Sequence, residues 1–348
     1  MKPVFFLRRR YTPFGGSEKD FQDLYNALKN DPELPVEMVD IRQPSWLPGW
    51  VQLLIYNVQV CRGRKKEGLY FSSDRLTCLD VHKAGGGTHK SFLRTKGFSL
   101  NPLHPTYLWL EKHTLQNARK IIAVSKLVKE DIVRDYRIPP EKIEVVYNGI
   151  RVEAIDEEEI ARRGRRIRKE FDLPADCPVI LFVGSGFGRK GVREFLELLA
   201  ALRNDFRALV VGKEKRLSDY RSFARSLGLE KKVIFTGPRT DARDFYCASD
   251  VFLFPTHYEP FGNVILEAMN YGNVILTTLQ CGAGELLQEE PRMRSPKDRS
   301  VLPFLERMLR DPHKRRAIAR KNRESVPDYS IEKNAEAMRR IFKELENQ

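Results

Sequence analysis

Short apolar runs separated by amphipathic stretches recur from one end of the chain to the other. PVFFL (3–7) reads as a buried first strand, followed by a Gly-Gly turn and a helix over about 19–28. VEMVDI, GLYFSS, KIIAVS and IEVVYN read as further strands. Runs this short and this rich in β-branched and aromatic residues suit strands buried on both faces, so the pattern predicts a parallel sheet covered by helices. Near Tyr147-Asn148-Gly149-Ile150 the rhythm breaks, because Asn-Gly is turn chemistry and a charged, Arg-rich helical stretch follows over about 153–171. The alternation then restarts: PVILFVG, RALVVG, KVIFTG, DVFLFP and NVILTT as strands, with VREFLELLAALR, SDYRSFARSLGL, ARDFYCAS and NVILEAMNYG as the helices between them. A last helix, about 331–345, has no strand after it. The expected fold class is α/β, with one doubly wound domain over 1–150 and a second over 151–327.

Composition changes this picture in two places. The 348 residues, 41% of them hydrophobic, can fill two cores. No stretch approaches the roughly 18 apolar residues of a membrane span, and MKPVFFLRRR places its apolar run before its charge, the reverse of a secretory signal. Cys61, Cys78, Cys177, Cys247 and Cys281 are scattered without a C-x-x-C pair, which predicts reduced thiols in a cytoplasmic protein. The formal charge of +14 attracts nucleic acid, anionic lipid or phosphorylated small molecules without choosing among them. Basic residues cluster at 8–10, 62–66, 162–168 and 314–323. The cluster at 62–66 follows WLPGWVQLLIYNVQV, where Trp46, Trp50, Leu53, Leu54 and Val58 approximate helical spacing. That combination fits a membrane-surface helix, and equally a core helix followed by a solvated loop.

Two motifs carry chemistry. Gly184-Ser185-Gly186-Phe187-Gly188-Arg189-Lys190-Gly191 sits between a strand and a helix, where glycines let backbone amides approach an anion. As a dinucleotide fingerprint it fails: Gly188 follows Gly186 too closely, and RALVVG is followed by Lys213 instead of an acidic residue. As a P-loop it fails too, with Arg189 where a glycine is required and Gly191 where a magnesium-binding hydroxyl belongs. What remains is the Arg189-Lys190 pair, either solvated or placed to hold a diphosphate. The second motif, Glu259-Pro260-Phe261-Gly262-Asn263-Val264-Ile265-Leu266-Glu267, puts one carboxylate on a loop and the other on the second turn of a helix. Glu267 lies among apolar neighbours and needs a partner; a ribose diol supplies two donors, whereas a plain surface position would need none. No D-x-D triplet occurs, so fixed cations, loop amides and helix N-termini must stabilise a departing phosphate. Neither a metal nor a cofactor is expected.

VGSGFGRKG and EPFGNVILEAM together resemble the donor site of retaining GT-B glycosyltransferases of the glycogen-synthase-like group, glycosyl transferases group 1. PFGGSEKDF, GSGFGRKGV and DVHKAGGGTHKSFL are similar to segments of the lipopolysaccharide core glucosyltransferases within it. The resemblance implies two Rossmann-like domains facing a central cleft. The first would bind the acceptor, with a crossover helix in 328–348 packing back on it, and the second would bind the nucleotide sugar. It implies donor contacts at Gly15, Gly16, Gly186, Arg189, Lys190, Gly262, Asn263, Val264 and Glu267, and at Arg239 through its backbone. Glu259 would orient the sugar, and one of Asp80, His82 and His89 would be the polar residue of the first domain near it. The implied reaction moves glucose from UDP-glucose, with retention, to a saccharide or lipid-linked saccharide acceptor such as the lipopolysaccharide inner core. Its implied place is the cytoplasm, at the inner face of an anionic membrane surface. One departure is EEPRMRSPKDRS, short and strand-poor where relatives have another strand. Two readings of other classes are weaker: a nicotinamide enzyme lacks its fingerprint, and nucleic acid as a partner rests on charge alone.

Overall fold

Strands form at the short apolar runs, most of which are buried on both faces. In the first unit these are β1 (Val4–Arg8), β2 (Val36–Asp40), β3 (Leu69–Ser72), β4 (Val81–Ala84), β5 (Lys120–Ala123) and β6 (Ile143–Val145). The helices between them are α1 (Gly16–Leu28), α2 (Gly49–Arg62), α3 (His89–Lys96), α4 (Leu103–Asn117) and α5 (Lys126–Tyr136). The computed structural model describes residues 2–9, 16–65, 67–96 and 100–347. By its contacts the chain divides into two units, Met1–Ile150 with Tyr329–Gln348, and Arg151–Asp328.

All strand pairs of the first sheet are parallel, in the order β2-β1-β3-β4-β5-β6. One face is packed by Phe21 and Leu24 of α1 and by Met338, Ile341 and Phe342 of the C-terminal helix, Ile331–Glu346, against Phe6 and Phe71. The other face seats Tyr56 and Val60 of α2 against Phe5, Leu7 and Tyr70.

Three sequence expectations change here. VHKA was not among the expected strands and is β4, all four residues buried; His82 and Lys83 hide the strand in a hydropathy pattern, and buried Asp20 on α1 neutralises Lys83. The Trp stripe is split: α2 begins at Gly49, so Trp46 precedes it at 81% exposure, Trp50 and Val58 face solvent, and Leu53, Tyr56 and Val60 form the buried side. Five reduced thiols were expected, but Cys61 and Cys78 are joined in a disulfide and only Cys177, Cys247 and Cys281 are free.

The second unit contains α6 (Glu157–Glu170), β7 (Val179–Val183), α7 (Phe187–Lys190), α8 (Val192–Ala200), β8 (Arg207–Val211), α9 (Leu217–Ser226) and β9 (Val233–Gly237). It continues through α10 (Ala242–Cys247), β10 (Val251–Phe254), α11 (Asn263–Asn270), β11 (Val274–Thr277), α12 (Leu302–Arg310) and α13 (Pro312–Ser325). Its sheet is parallel in the order β11-β10-β7-β8-β9. EEPRMRSPKDRS contributes one isolated bridge, Thr278 with Met293, and no strand.

Candidate active site

Strand order locates the crevice of the second unit. The chain leaves β7 to one side through β8 and β9, then returns to lay β10 and β11 on the other, so β7 and β10 flank the switch point. Ligands of open α/β sheets bind outside the carboxyl ends of strands at such a point. The two motifs occupy those ends: 184–191 follows β7 and 255–262 follows β10.

Two glycines make the approach sterically feasible. A Cβ on Gly184 would lie 2.6 Å from Cδ of Lys190, so its absence lets that side chain fold back over the loop. Gly191, at φ +77°, brings its Cα so close to Pro255 that a Cβ would lie 1.8 Å from the carbonyl oxygen. The loops are then laced together. The His257 amide donates to the Arg189 carbonyl at 3.0 Å, and Arg189 Nη1 donates to the Tyr258 carbonyl at 2.7 Å.

Both cations converge on one oxygen: Arg189 Nη1 and Lys190 Nζ each lie 3.1 Å from Glu259 Oε2. Burial alone would push the Glu259 carboxyl up, but Lys190 and Arg189 outweigh it and hold the group below the usual carboxylate range. Backbone bonds fix the carboxylate's base, with the Glu259 amide donating to the Gln280 carbonyl at 2.9 Å and the Gly282 amide to the Glu259 carbonyl at 3.0 Å. Lys190 Nζ also sits 5.1 Å above the Phe254 ring. Gly186 has open space where a side chain would be. Gly262 caps α11 without a side-chain hydrogen bond, and Asn263 and Val264, half-buried, open the helix.

Glu267, half-buried on α11, accepts from the hydroxyl of fully buried Tyr246 at 3.0 Å. Desolvation, followed by the Glu267 charge, drives the Tyr246 pKa well up, so the phenol stays a donor. Arg239 is held by its side chain, ion-paired with Glu170 and Asp241, which leaves its backbone as the part able to meet a ligand. Sequence reasoning missed Tyr246, 21 positions from its partner. It also missed Glu214, one residue past Lys213, whose carboxylate accepts the Phe187 amide at 2.9 Å and secures α7.

The three candidates of the first unit separate by position along β4. Asp80 precedes the strand, at its amino end, and is consumed there. Arg64 Nη2 binds its two oxygens at 2.7 and 2.8 Å, and the Tyr70 amide donates to it at 2.8 Å. His82 lies within the strand, and burial followed by Arg75 pushes its pKa down to about 3, so it is a neutral core histidine. His89 begins α3 beyond the carboxyl end, after Gly85 and Gly86, which face open space. Its Nε2 pairs with His104 Nδ1 at 3.0 Å, its ring stacks on Tyr107 at 5.0 Å, and its amide is gripped by both oxygens of buried Glu111. Glu111, from α4 and joined also by Arg75, is another residue no local motif announces. Gly16 starts α1 with nothing near its Cβ; Gly15 lies outside the described residues.

Residues 164–326 match the family model described as Glycosyl transferases group 1, and residues 82–154 match Glycosyltransferase Family 4. The chain carries a group 1 glycosyltransferase domain. This glycosyltransferase is 26% identical over 307 residues to the lipopolysaccharide glucosyltransferase WaaG of Escherichia coli (strain K12), covering 80% of its own chain and 81% of the relative. The crystal structure of WaaG, a glycosyltransferase involved in lipopolysaccharide biosynthesis, matches at a TM-score of 0.79 and 22% identity, over 97% of this chain and 99% of that one. Anabaena Alr3699/HepE in complex with UDP and glucose matches at a TM-score of 0.75 and 19% identity, over 99% and 100%. The architecture of this glycosyltransferase is thus that of GT-B enzymes: two parallel-sheet α/β units.

Proposed function

We propose that this glycosyltransferase transfers glucose from UDP-glucose to a saccharide acceptor, the inner core of a lipopolysaccharide, with retention at the anomeric carbon and without a metal ion. The observation that carries it is the convergence of Arg189 and Lys190 on Glu259 at the switch point. In the free protein the carboxylate is the counterion of both cations. A donor diphosphate is a stronger anion with more oxygens, and it takes those cations over. Glu259, released but still held by its backbone, then accepts from sugar hydroxyls. As the bond from the anomeric carbon to the phosphate oxygen breaks, the charge on the leaving diphosphate grows against fixed cations, which favours the transition state over the ground state. Glu267, with Tyr246 on one oxygen, accepts from the ribose diol. The backbone at Arg239 meets the base, and Gly186, Gly262, Asn263 and Val264 line the donor.

For the first unit, which we assign to the acceptor, His89 is the polar residue that serves the transferred sugar, in preference to Asp80 and His82, and Gly15 and Gly16 are the donor contacts that the resemblance implies. UDP and glucose as ligands are supported by the HepE complex, and the acceptor by the role of WaaG. Exposed Trp46 and Trp50 support a peripheral position on the inner face of the cytoplasmic membrane. No helix among the described residues is long and apolar enough to cross it. A thermal-shift series with UDP, ADP, GDP and their glucose conjugates tests the donor, since a ligand bound only by the native state raises the melting temperature. UDP and UDP-glucose should give the largest shifts; equal shifts with every nucleotide, or none, would remove the assignment.

A further inference from the structure

The free positive charge of this protein is not confined to the neighbourhood of its exposed tryptophans. In the first unit the basic run beside Trp46 and Trp50 is only partly free: Arg62 and Lys65 are exposed without an ion pair among the described residues, Arg64 is committed to Asp80, and Lys66 lies outside the described residues. Arg162, Arg163 and Arg166 on α6 are paired with Glu159, Glu153 and Asp244. Residues 292–316 differ. They hold nine Lys and Arg against three Asp and Glu, so 25 positions supply +6 of the chain's +14.

Folding sorts these charges onto one side of each helix. On α12, Leu305, Met308 and Leu309 are buried while Arg307 and Arg310, three apart, share the outward face. On α13, Ile318 and Asn322 turn inward and Arg316 outward. Arg294, Lys297 and Arg299 are exposed in the segment leading into α12. None of these six forms an ion pair among the described residues, and the nearby acids are already engaged as caps, Asp298 to the Ser300 amide and Asp311 to the Lys314 amide. The only exposed large hydrophobic residue described in the second unit is Leu279, so the surface offers charge with little apolar area beside it.

We propose that the outward face of α12, the start of α13 and the segment before them form a docking surface for an anionic phospholipid bilayer. Several cations without an ion pair among the described residues, spread over adjacent elements with no exposed large hydrophobic residue between them, match a field of lipid phosphates better than a single polyanionic strand. Each such charge adds to the attraction within a Debye length of the surface. The proposal rests on the membrane-side reading of the enzyme and assigns the electrostatic part of that contact to the second unit.

Sedimentation of the full chain with vesicles tests it, using phosphatidylglycerol mixed into phosphatidylethanolamine, phosphatidylcholine alone, and low against high salt. The patch variant carries Arg294→Ser, Arg307→Ser, Arg310→Ser and Arg316→Ser. A control variant removes the same charge elsewhere, through Arg162→Ser, Arg165→Ser, Arg166→Ser and Arg225→Ser. Wild type should sediment with anionic vesicles at low salt, the control should follow it, and the patch variant's partition coefficient should fall by roughly a hundredfold or more. Equal loss in both variants would reduce the effect to net charge and overturn the proposal. So would unchanged binding of the patch variant, or wild-type binding to polyuridylate and not to vesicles. UDP-induced thermal shifts in the same proteins keep the questions apart: failed docking with intact UDP binding rejects only the surface, whereas absent UDP binding in wild type rejects the donor site.

Discussion

Each unit pairs a lysine with a carboxylate, and the two pairs are put to opposite uses. Lys83 and Asp20 are both buried within the first unit, one on a central strand and one on the helix covering it. Lys190 and Glu259 lie at loops beyond strand ends, with Lys190 partly exposed and a second cation, Arg189, sharing the same oxygen. A pair enclosed by core has no room for a third party, so its energy goes into holding elements together. A pair at a strand mouth with an excess of positive charge is an unfinished shell that an anion completes. The residue types are alike; position relative to the sheet decides which is structure and which is site.

The largest expected effect probes the enclosed pair. Lys83→Ala leaves Asp20 buried without its partner and should cost about 3–5 kcal/mol of stability, read as a lowered denaturant midpoint with little change in affinity for UDP once folded. Lys190→Ala should do the reverse, retaining the melting temperature while donor affinity or turnover falls at least tenfold. That corresponds to a lost charge-assisted hydrogen bond of about 1.5–3 kcal/mol, and wild-type kinetics in a folded Lys190→Ala protein would erase the distinction between the two pairs. Glu259→Gln sharpens the role of the shared carboxylate. Glucosyl transfer should drop at least tenfold while UDP alone binds no more weakly, because the competing counterion is gone; calorimetry showing weakened UDP binding would contradict the exchange of cations.

Acidity gives a smaller effect. His82 is neutral in the fold, its pKa pushed down to about 3 by burial and then by Arg75, against about 6.5 when unfolded. Between those values the unfolded chain binds the extra proton, so stability is lost as pH falls from about 6.5 toward 3. His82→Gln should flatten that limb by up to about 1.4 kcal/mol per pH unit; an unchanged slope would mean the histidine is already charged. The smallest expected change is none: transfer should persist in EDTA, and activity abolished by chelator and restored by manganese or magnesium would show that the cations do not suffice.

The second unit was the more legible of the two in the sequence. Its strands are continuous apolar runs, and its motifs are local, so Arg189, Lys190 and Glu259 could be placed together from spacing and resemblance alone. The first unit disperses its information. β4 carries a lysine and a histidine in four residues, and only Asp20, more than sixty positions earlier, makes such a strand buriable. Glu111 grips the start of α3 from a helix that follows it, and Tyr246 reaches Glu267 across two elements. These are pairings made by tertiary contact, for which a linear pattern has no signature. Asp80 shows the same limit: nothing local in the sequence announces that Arg64 and the Tyr70 amide take up its oxygens.

The link between Cys61 and Cys78 bears on how the enzyme must be handled. It closes a loop with a sequence separation of 17 residues between the end of α2 and the approach to β4, a constraint worth roughly 3 kcal/mol to the folded state in the chain-entropy account. Cells keep their interior reducing, so material purified without a reductant and material kept in one are two chemical species with different reserves of stability in the same unit. A melting temperature, or a vesicle-binding curve involving the exposed tryptophans at the head of α2, belongs to one of them. Thiol titration of each preparation, before any comparison of variants, states which molecule was measured.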